Sequence, residues 1–323
     1  MTPERAGLTF TRYASADKPS VWLAEADGSH ARRVIAGAYS PKLSPEGRRL
    51  AYLVPAVDRH SLPSLFVRDL AGGRPRRIGR AFGYGWSPEG TRVAAQGPHS
   101  LVLFDLRSGE RRTLVRGRLV GGFSFAPAGN AIVYSRWNGG TGRNYRSDIF
   151  VINLRGGRVM RLTTNRHSDD PVWGRRWIVY RRFHFGGDWS IGRLRLLRPN
   201  GTGDYLLARG DERTSLARMG LRPLELSRNG RVLLACAAVE FQCAPVMFLV
   251  PRGVGASFEA AIRRLARAGE LANASDLSRD GRRFLFTVGP FDSPVGDRVY
   301  AARFDGGEPR LLVRNASEPS WAG

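Results

Sequence analysis

A hydrophobic anchor, a tight turn and an apolar strand follow one another in the segment Leu43-Ser-Pro-Glu-Gly-Arg-Arg-Leu-Ala-Tyr52. Proline presets φ at the second position of a turn, and glycine readily adopts the positive φ that the turn needs next. The segment therefore predicts a β-hairpin with Ser-Pro-Glu-Gly as its turn. Related segments begin at Trp86, Phe125, Leu226 and Leu277, with a shortened copy at Trp173 and a truncated copy at Trp321.

A second hairpin follows the first in each repeat, as in Phe66-Val-Arg-Asp-Leu-Ala-Gly-Gly-Arg-Pro-Arg-Arg-Ile78. Two hairpins make a four-stranded antiparallel sheet, which is one blade of a β-propeller. The anchors at positions 43, 86, 125, 173, 226, 277 and 321 are 39 to 53 residues apart, a period typical of repeat folds. The sequence therefore predicts an all-β, seven-bladed propeller that occupies residues 1–323 as a single domain.

The two ends of the chain complement each other. Trp321 is an anchor with no strands after it, whereas residues 8–34 contain three predicted strands with no anchor before them. Pairing of the two ends would remove free sheet edges, which all-β proteins must protect. We expect residues 317–323 and 7–34 to form one closing blade.

The stretch Ser147-Asp-Ile-Phe-Val-Ile-Asn-Leu-Arg-Gly-Gly-Arg-Val-Met-Arg-Leu-Thr-Thr-Asn165, followed by Asp170-Pro-Val-Trp173, resembles the repeat of TolB-like β-propellers. The resemblance extends through all seven units. It implies a bacterial, monomeric, extracytoplasmic protein that binds a protein or cell-envelope partner. We expect neither the α/β domain that precedes the TolB propeller nor a signal peptide in this sequence, so the lipoprotein partner of that family is not carried over.

The charge balance is strongly basic, with 51 Lys and Arg against 28 Asp and Glu, or +23 in formal charge. Only Lys18 and Lys42 are lysines, and the arginines are scattered, often as Arg-Arg pairs. One interpretation is an anionic partner such as nucleic acid or an acidic glycan. The other, favoured by the scatter, is an arginine-biased but ordinary solvated surface. No apolar run is long enough for a membrane helix.

Long, irregular loops are predicted on one face of the propeller, at residues 55–64, 136–147, 183–190, 208–222 and 289–297. Loops held on a rigid scaffold are the usual place for binding residues. Aromatic and charged side chains concentrate in two of these loops and in the segment between them, and the candidate binding residues are Trp137, Arg143, Tyr145, Arg146, His167, Asp169, Asp170, Arg182, His184 and Trp189. They suit a sugar, a nucleobase or an acidic peptide. Alternatively, the aromatic rings simply pack the loops down.

Catalytic and metal-binding motifs are missing from the sequence. There is no Gly-x-Ser-x-Gly elbow, no His-Glu-x-x-His and no paired Cys-x-x-Cys. His167, Asp169 and Asp170 resemble a metal cluster, but Asp170 stands where the repeat commonly places a polar turn residue. We predict no cofactor, no metal and no coupled catalytic set formed by these three residues with Arg182.

Two local features leave alternatives open. Cys236 and Cys243 flank a predicted hairpin turn near Val239 and could form a cross-strand disulfide, which would indicate an oxidising compartment, or remain two buried thiols. Residues 256–268 have helical spacing at Phe258, Ile262 and Leu265, yet they stand where an outer strand belongs. The repeat favours a strand from Ile262 to Ala266.

Three functions are compatible with this sequence. The first is a non-catalytic scaffold that binds a protein or cell-envelope partner through its loop-rich face. The second is a lyase or hydrolase that acts on an acidic polysaccharide. The third is binding of nucleic acid or another anionic polymer through arginine, which would weaken steeply with salt. The missing catalytic motifs favour the first.

Overall fold

The computed structural model describes residues 7–58, 60–186, 189–208, 220–239, 242–253 and 255–322, and this backbone is predominantly β-strand. The chain forms two compact units. Unit 1 comprises Met1–Gly97, Phe104–Glu110 and Glu259–Gly323, and unit 2 comprises Pro98–Leu103 and Arg111–Phe258. No described helix is long and apolar enough to span a membrane.

The strands are short and follow one another closely. In chain order they are β1 (Leu8–Tyr13), β2 (Pro19–Ala24), β3 (Arg32–Ala36), β4 (Tyr39–Leu43), β5 (Arg49–Val54), β6 (Ser64–Asp69), β7 (Arg76–Arg80), β8 (Gly83–Trp86), β9 (Arg92–Gly97), β10 (Ser100–Asp105), β11 (Arg111–Arg116), β12 (Leu119–Phe125), β13 (Ala131–Trp137), β14 (Ser147–Asn153), β15 (Val159–Arg161), β16 (Ser168–Trp173), β17 (Ile178–Gly186), β18 (Trp189–Leu197), β19 (Tyr205–Ala208), β20 (Leu221–Leu226), β21 (Val232–Val239), β22 (Gln242–Leu249), β23 (Gly255–Ser257), β24 (Glu270–Leu277), β25 (Arg283–Pro290), β26 (Arg298–Arg303), β27 (Arg310–Arg314) and β28 (Ser317–Trp321).

The predicted four-stranded antiparallel sheets are confirmed. In unit 1 the strand orders are β28-β1-β2-β3, β4-β5-β6-β7 and β24-β25-β26-β27, and β8 pairs with β9. In unit 2 they are β12-β13-β14-β15, β16-β17-β18-β19 and β20-β21-β22-β23. The first strand of each set carries the predicted hydrophobic anchor, and we call it the anchor strand.

The predicted pairing of the two terminal segments is also confirmed. Strand β28 runs antiparallel to β1, with Leu8 opposite Trp321 and Thr11 opposite Ser317. Leu8, Phe10 and Trp321 are buried in a hydrophobic cluster with Leu285 and Val299 from the β24–β27 sheet. Residues from both ends of the chain therefore share one part of the unit 1 core.

The repeated turn explains why the hairpins form. In its first copy, the Gly47 N–H donates to the Ser44 carbonyl over 2.8 Å, and the Ser44 Oγ accepts from the Arg49 N–H over 2.9 Å. Gly47 has φ 71°, and the equivalent Gly281 has φ 74°. A Cβ is strained at such a backbone conformation, so glycine is favoured there.

Alternation along the strands explains the core of unit 2. On β17, Ile178 and Tyr180 face residues of the β12–β15 sheet, including Val133. Val179, between them, faces the β20–β23 sheet, including Leu233. Successive side chains of a strand point to opposite faces, so the β16–β19 sheet buries both faces against its two sequence neighbours in unit 2.

The strand expected from Ile262 to Ala266 is wrong. Residues Glu259–Leu265 form a helix, α1, directly after the short strand β23. Phe258 and Ile262 are both buried, at 6% and 4% exposure. A strand would place Arg264 on the same face as Ile262, whereas helical geometry leaves Arg263 and Arg264 outside, so the 3.6-residue period prevails over the repeat.

Candidate functional site

Several anchor strands contain a β-bulge that turns a polar side chain to a new direction. The pairing register shifts between Tyr39 and Lys42 in β4 and between Asp169 and Val172 in β16. Ser40, Asp170 and Glu318 each have φ near 50°, and each precedes a proline. A positive φ is uncommon outside glycine, and bulges often re-aim side chains beside functional sites.

In unit 2, the buried carboxylate of Asp169 is held by Arg181 on the neighbouring strand. Arg181 Nε lies 2.7 Å from Asp169 Oδ1, and its Nη2 lies 2.6 Å from Oδ2. Asp169 stands opposite Arg181 in the register of β16 and β17, and their side chains are 3% and 14% exposed. The guanidinium therefore occupies both oxygens of this carboxylate.

Asp170 extends the same network to two other anchor strands. Its Oδ2 accepts from Arg222 Nε of β20 over 2.8 Å, and its Oδ1 accepts from the Gly122 N–H of β12 over 3.2 Å. A Cβ on Gly121, whose φ is 62°, would lie only 2.2 Å from Asp170 Oδ1. Glycine at position 121 therefore makes room for the carboxylate.

Burial and charge set the protonation behaviour of this network. Burial, together with the neighbouring charge of Asp170, raises the pKa of Asp169 to about 6, although Arg181 opposes this shift. Burial and the charge of Asp169 raise the pKa of Tyr145 to about 12. The charge of Asp170 raises the pKa of Arg222, which stays protonated. Two carboxylates and two guanidiniums thus form a charge-balanced cluster.

Arg182 and His184, both predicted as binding residues, lie apart from this network. Arg182 stands opposite Ser168, and its Nη1 lies 3.7 Å from Asp204 Oδ2. Arg181, one residue earlier, contacts Asp169 instead, because strand alternation sends the two side chains to opposite faces. His184 is exposed and pairs with Ile191 across the hairpin of β17 and β18.

The aromatic residues of unit 2 mainly pack against one another. Phe183 is 2% exposed, and its ring centroid lies 5.4 Å from that of Tyr145 and 5.5 Å from that of His167. His167 Nδ1 lies 2.9 Å from the Asn165 carbonyl oxygen. Trp137 Nε1 donates to the Gly140 carbonyl over 3.0 Å. These contacts correspond to the packing alternative, whereas Arg143 and Arg146 remain exposed.

The loops of unit 2 differ from those predicted. Residues 183–190 are not an irregular loop, since β17 and β18 extend to Gly186 and Trp189. Residues 138–146 do form a loop, which contains a 3₁₀ turn at Gly142–Asn144. Residues 187–188 and 209–219, from two predicted loops, lie outside the described residues.

A structural carboxylate, Asp148, was missed by sequence reasoning. It is fully buried, and its two oxygens accept from Asn138 Nδ2, Arg161 Nη2, Thr163 Oγ1 and the Arg166 N–H at 2.6–3.0 Å. Such saturation fixes the loop and the segment after β15 onto β14. The Ser147-Asp148-Ile149 motif is the signal that could have revealed it.

Unit 1 has its own polar cluster, which sequence reasoning also missed. Glu318 Oε2 accepts from Thr11 Oγ1 and from the Ser40 N–H, both over 2.7 Å. Asp297 accepts from Ser317 Oγ over 2.6 Å, and burial, followed by the charge of Glu318, raises the pKa of Asp297 to about 6. A residue before the anchor-strand proline, as in Ser40-Pro41 and Glu318-Pro319, is the sequence signal for this position.

The loop ends of the unit 1 sheets expose apolar side chains. Val57 is fully exposed in the loop between β5 and β6, and Phe82, 50% exposed, follows β7. The Ala81 N–H donates to the Pro63 carbonyl, which joins these two segments. Phe291 and Val295, 52% and 38% exposed, lie between β25 and β26.

The two cysteines are bonded in the β21–β22 hairpin, with their Cα atoms 4.9 Å apart. The sequence suggested that the two cysteines lie directly opposite each other, but the structure places them in different residue pairs of the two strands. Cys236 pairs with Pro245, and Cys243 pairs with Ala238. The bond is therefore diagonal across the two strands.

Structural comparison connects this geometry with known proteins. The β-propeller domain of the trilobed protease from Pyrococcus furiosus is 13% identical, with a TM-score of 0.68, and the match covers 96% of this chain and 93% of that one. The chain has a β-propeller fold. TolB from Acinetobacter baumannii is also similar, at 13% identity and a TM-score of 0.58, over 97% of this chain and 81% of that one.

The structure is also similar to that of an enzyme. An oligogalacturonate lyase in complex with manganese is 12% identical, with a TM-score of 0.59, over 95% of this chain and 85% of that one. No family profile matches the sequence, and no curated protein matches it. At these identities the comparisons establish the fold alone, and the same fold serves proteins that differ in activity.

No group of three or more His, Cys, Asp or Glu side chains is placed to hold a metal ion within the described part of the chain. In unit 2 the carboxylates of Asp169 and Asp170 instead contact guanidinium groups. Chemically, this arrangement is suited to holding strands together.

Proposed function

We propose that this protein is a non-catalytic propeller scaffold that binds a protein partner through the loop ends of its sheets. The observation that carries the proposal is the exposure of Val57, Phe82 and Phe291 in these loops. Apolar side chains exposed on the loops of a rigid scaffold are candidates for contact with a partner. The similarity to TolB agrees with a protein partner.

The chemistry of unit 2 supports a binding role rather than catalysis. A general acid or base presents a carboxyl oxygen to the substrate. Each oxygen of Asp169 accepts a hydrogen bond from Arg181, and the two oxygens of Asp170 accept from Arg222 and the Gly122 N–H, so protein donors orient both groups. The cluster therefore has the character of a structural ion-pair network.

An affinity capture from the native host tests the proposal. The wild-type protein and the double variant Phe82→Ser/Phe291→Ser serve as baits, and the captured protein is then purified and its dissociation constant measured directly. The matched control is Val159→Ser/Met160→Ser, since these residues are also exposed but lie on the outer strand β15. We expect the loop variant to weaken binding at least tenfold and the control to leave it unchanged.

Equal binding by all three proteins would contradict the proposal. Proper folding of each variant is checked by circular dichroism and thermal unfolding, which exposed substitutions should hardly change.

The second candidate function is a lyase acting on an acidic polysaccharide, favoured by the similarity to the oligogalacturonate lyase. Incubation with oligogalacturonate and manganese distinguishes the two, because β-elimination creates an unsaturated product that absorbs ultraviolet light. Turnover of oligogalacturonate by the wild-type protein would replace the scaffold proposal with the enzymatic one.

A further inference from the structure

A cleft of about 310 Å³ lies in unit 1, lined by Asp280, Arg282, Arg283 and Arg303. Its residues belong to the turn between β24 and β25 and to the end of β26. These turns lie at the end of the sheet opposite the loop containing Phe291, because strands alternate in direction. The cleft is therefore separate from the surface of the proposed function.

The repeat shows what is unusual about Arg283. Arg49 and Arg92 occupy the same position after the repeated turn, and each contacts a glutamate of its own turn. Arg92 Nε lies 2.7 Å from Glu89 Oε1, and Arg49 Nη1 lies 3.4 Å from Glu46 Oε1. In these two copies the guanidinium charge is balanced within the turn.

The copy that begins at Leu277 replaces that glutamate with Asp280, which is one methylene shorter. Asp280 Oδ1 accepts from Ser278 Oγ over 2.7 Å and from the Arg282 N–H over 3.0 Å, so it is turned into its own backbone. The Arg283 guanidinium lies instead over the Trp321 ring, 5.3 Å from its centroid. An aromatic face orients a guanidinium but leaves its N–H groups available at the edge.

Arg282 and Arg303 also line the cleft. Arg303 is already paired with Asp305, with its Nε 2.9 Å from Asp305 Oδ1 and its Nη2 2.6 Å from Oδ2, so the cleft depends on Arg282 and Arg283 for binding. Arg282 and Arg283 have no carboxylate within 4.0 Å among the ion pairs of the described residues. Two guanidinium groups outside any ion pair of the described residues favour a doubly charged phosphate over a singly charged carboxylate.

We propose that this cleft binds a phosphate group, either as free inorganic phosphate or as the monoester of a small molecule. Each charge-assisted hydrogen bond from an open guanidinium should contribute measurably, whereas Arg49 and Arg92 are already paired. The aromatic floor under Arg283 reduces the conformational freedom that binding must remove.

Isothermal titration at low ionic strength tests the proposal with three probes: inorganic phosphate, glucose 6-phosphate and acetate. We expect saturable binding of at least one phosphate compound and much weaker binding of acetate. A tighter complex with glucose 6-phosphate would show that the cleft also accepts the organic part, and equal affinity would identify free phosphate as sufficient.

The matched variants are Arg283→Gln and Arg49→Gln, which remove one charge from equivalent positions of the repeat. We expect Arg283→Gln to weaken phosphate binding roughly tenfold and Arg49→Gln to change it less than about twofold. Arg282→Gln is the second test variant should Arg283→Gln fail to fold. Absence of saturable binding, equal effects at positions 283 and 49, or acetate binding as tight as phosphate would each overturn the proposal.

Discussion

Leu8 and Trp321 stand opposite each other in the antiparallel pair of β1 and β28 and belong to one buried cluster. Trp321 is 7% exposed, and its backbone N–H donates to Asp276 Oδ2 over 2.6 Å. The last strand of the described chain therefore completes both a sheet and part of the core that the preceding sequence leaves unfinished. An interaction between segments this distant in sequence should contribute strongly to cooperativity.

Replacing Trp321 by alanine should destabilise the protein substantially. The substitution removes a large buried ring and leaves a cavity beside Leu8, with an expected loss of about 3–5 kcal/mol in the free energy of unfolding. Urea unfolding followed by circular dichroism measures this loss. Tyr205→Ala is the control, since Tyr205 is 50% exposed on an outer strand, and a loss no larger than that of the control would contradict the assigned role.

The ion pair between Asp169 and Arg181 gives the second prediction. Asp169→Asn leaves Asp170, at 3.7 Å, as the remaining carboxylate beside the buried guanidinium of Arg181, so the free energy of unfolding should fall by less than the about 3–5 kcal/mol expected for a fully unpaired buried charge. The double variant Asp169→Leu/Arg181→Met should recover much of that loss, because it removes both charges together. The same urea experiment compares the three proteins.

Arg182→Gln provides the matched control for this pair. Arg182 is the adjacent residue, but its side chain is 44% exposed and its nearest carboxylate oxygen is 3.7 Å away. An exposed pair of this kind contributes about 0–1 kcal/mol. Equal losses from Asp169→Asn and Arg182→Gln would show that Arg181 does not hold the strands as inferred.

Periodicity in the sequence was enough to predict the sheets, the repeated turn and the pairing of Trp321 with the opening strand, because these depend on local chemistry repeated many times. The candidate site was predicted less well. Asp169 and Asp170 were selected, but their partners Arg181 and Arg222 were not. The register of β16 and β17, shifted by a bulge, decides which arginine faces Asp169, and a one-residue change of register reverses every side chain.

Sequence reasoning also missed residues whose side chains are placed by a β-bulge. Glu318 and Ser40 meet only because two strands distant in sequence lie side by side in unit 1. Trp137 and Tyr145 were chosen for their aromatic surfaces, yet Tyr145 packs against Phe183 and the Trp137 N–H group is bonded to its own loop. Composition alone does not distinguish a ring that packs from a ring that binds.

The free energy of unfolding should vary with pH because of the partly buried carboxyl group of Asp297. Its folded pKa is about 6, above the ordinary value of 3.8, so its contribution to stability is fully present below about pH 4 and is lost as the pH rises through about 6. Asp297→Asn cannot ionise and should therefore be more stable than the wild type at neutral pH. Allowing for partial solvent access, the gain should be about 1–2 kcal/mol.

Urea midpoints measured from acid to neutral pH check this prediction. The difference between Asp297→Asn and the wild type should shrink as the pH falls, because the wild-type carboxyl becomes neutral in the folded state first. Asp305→Asn is the control, since Asp305 lies on the surface with a lowered pKa caused by Arg303. A stability difference for Asp297→Asn that is independent of pH would contradict the assignment.

The Cys236–Cys243 bond predicts a thiol content that depends on the redox state of the protein. Protein purified under oxidising conditions and denatured without reductant should contain no thiol that reacts with a chromogenic disulfide reagent, and two after reduction. The bond closes a short loop, since the two cysteines are seven residues apart, so reduction should lower the free energy of unfolding by about 2 kcal/mol.

The variant Cys236→Ser/Cys243→Ser should match the reduced protein and, unlike the wild type, should be insensitive to reductant. Two reactive thiols before reduction, in correctly folded protein from an oxidising compartment, would show that Cys236 and Cys243 act as small buried core residues, and the inference of an oxidising environment would then lose its support.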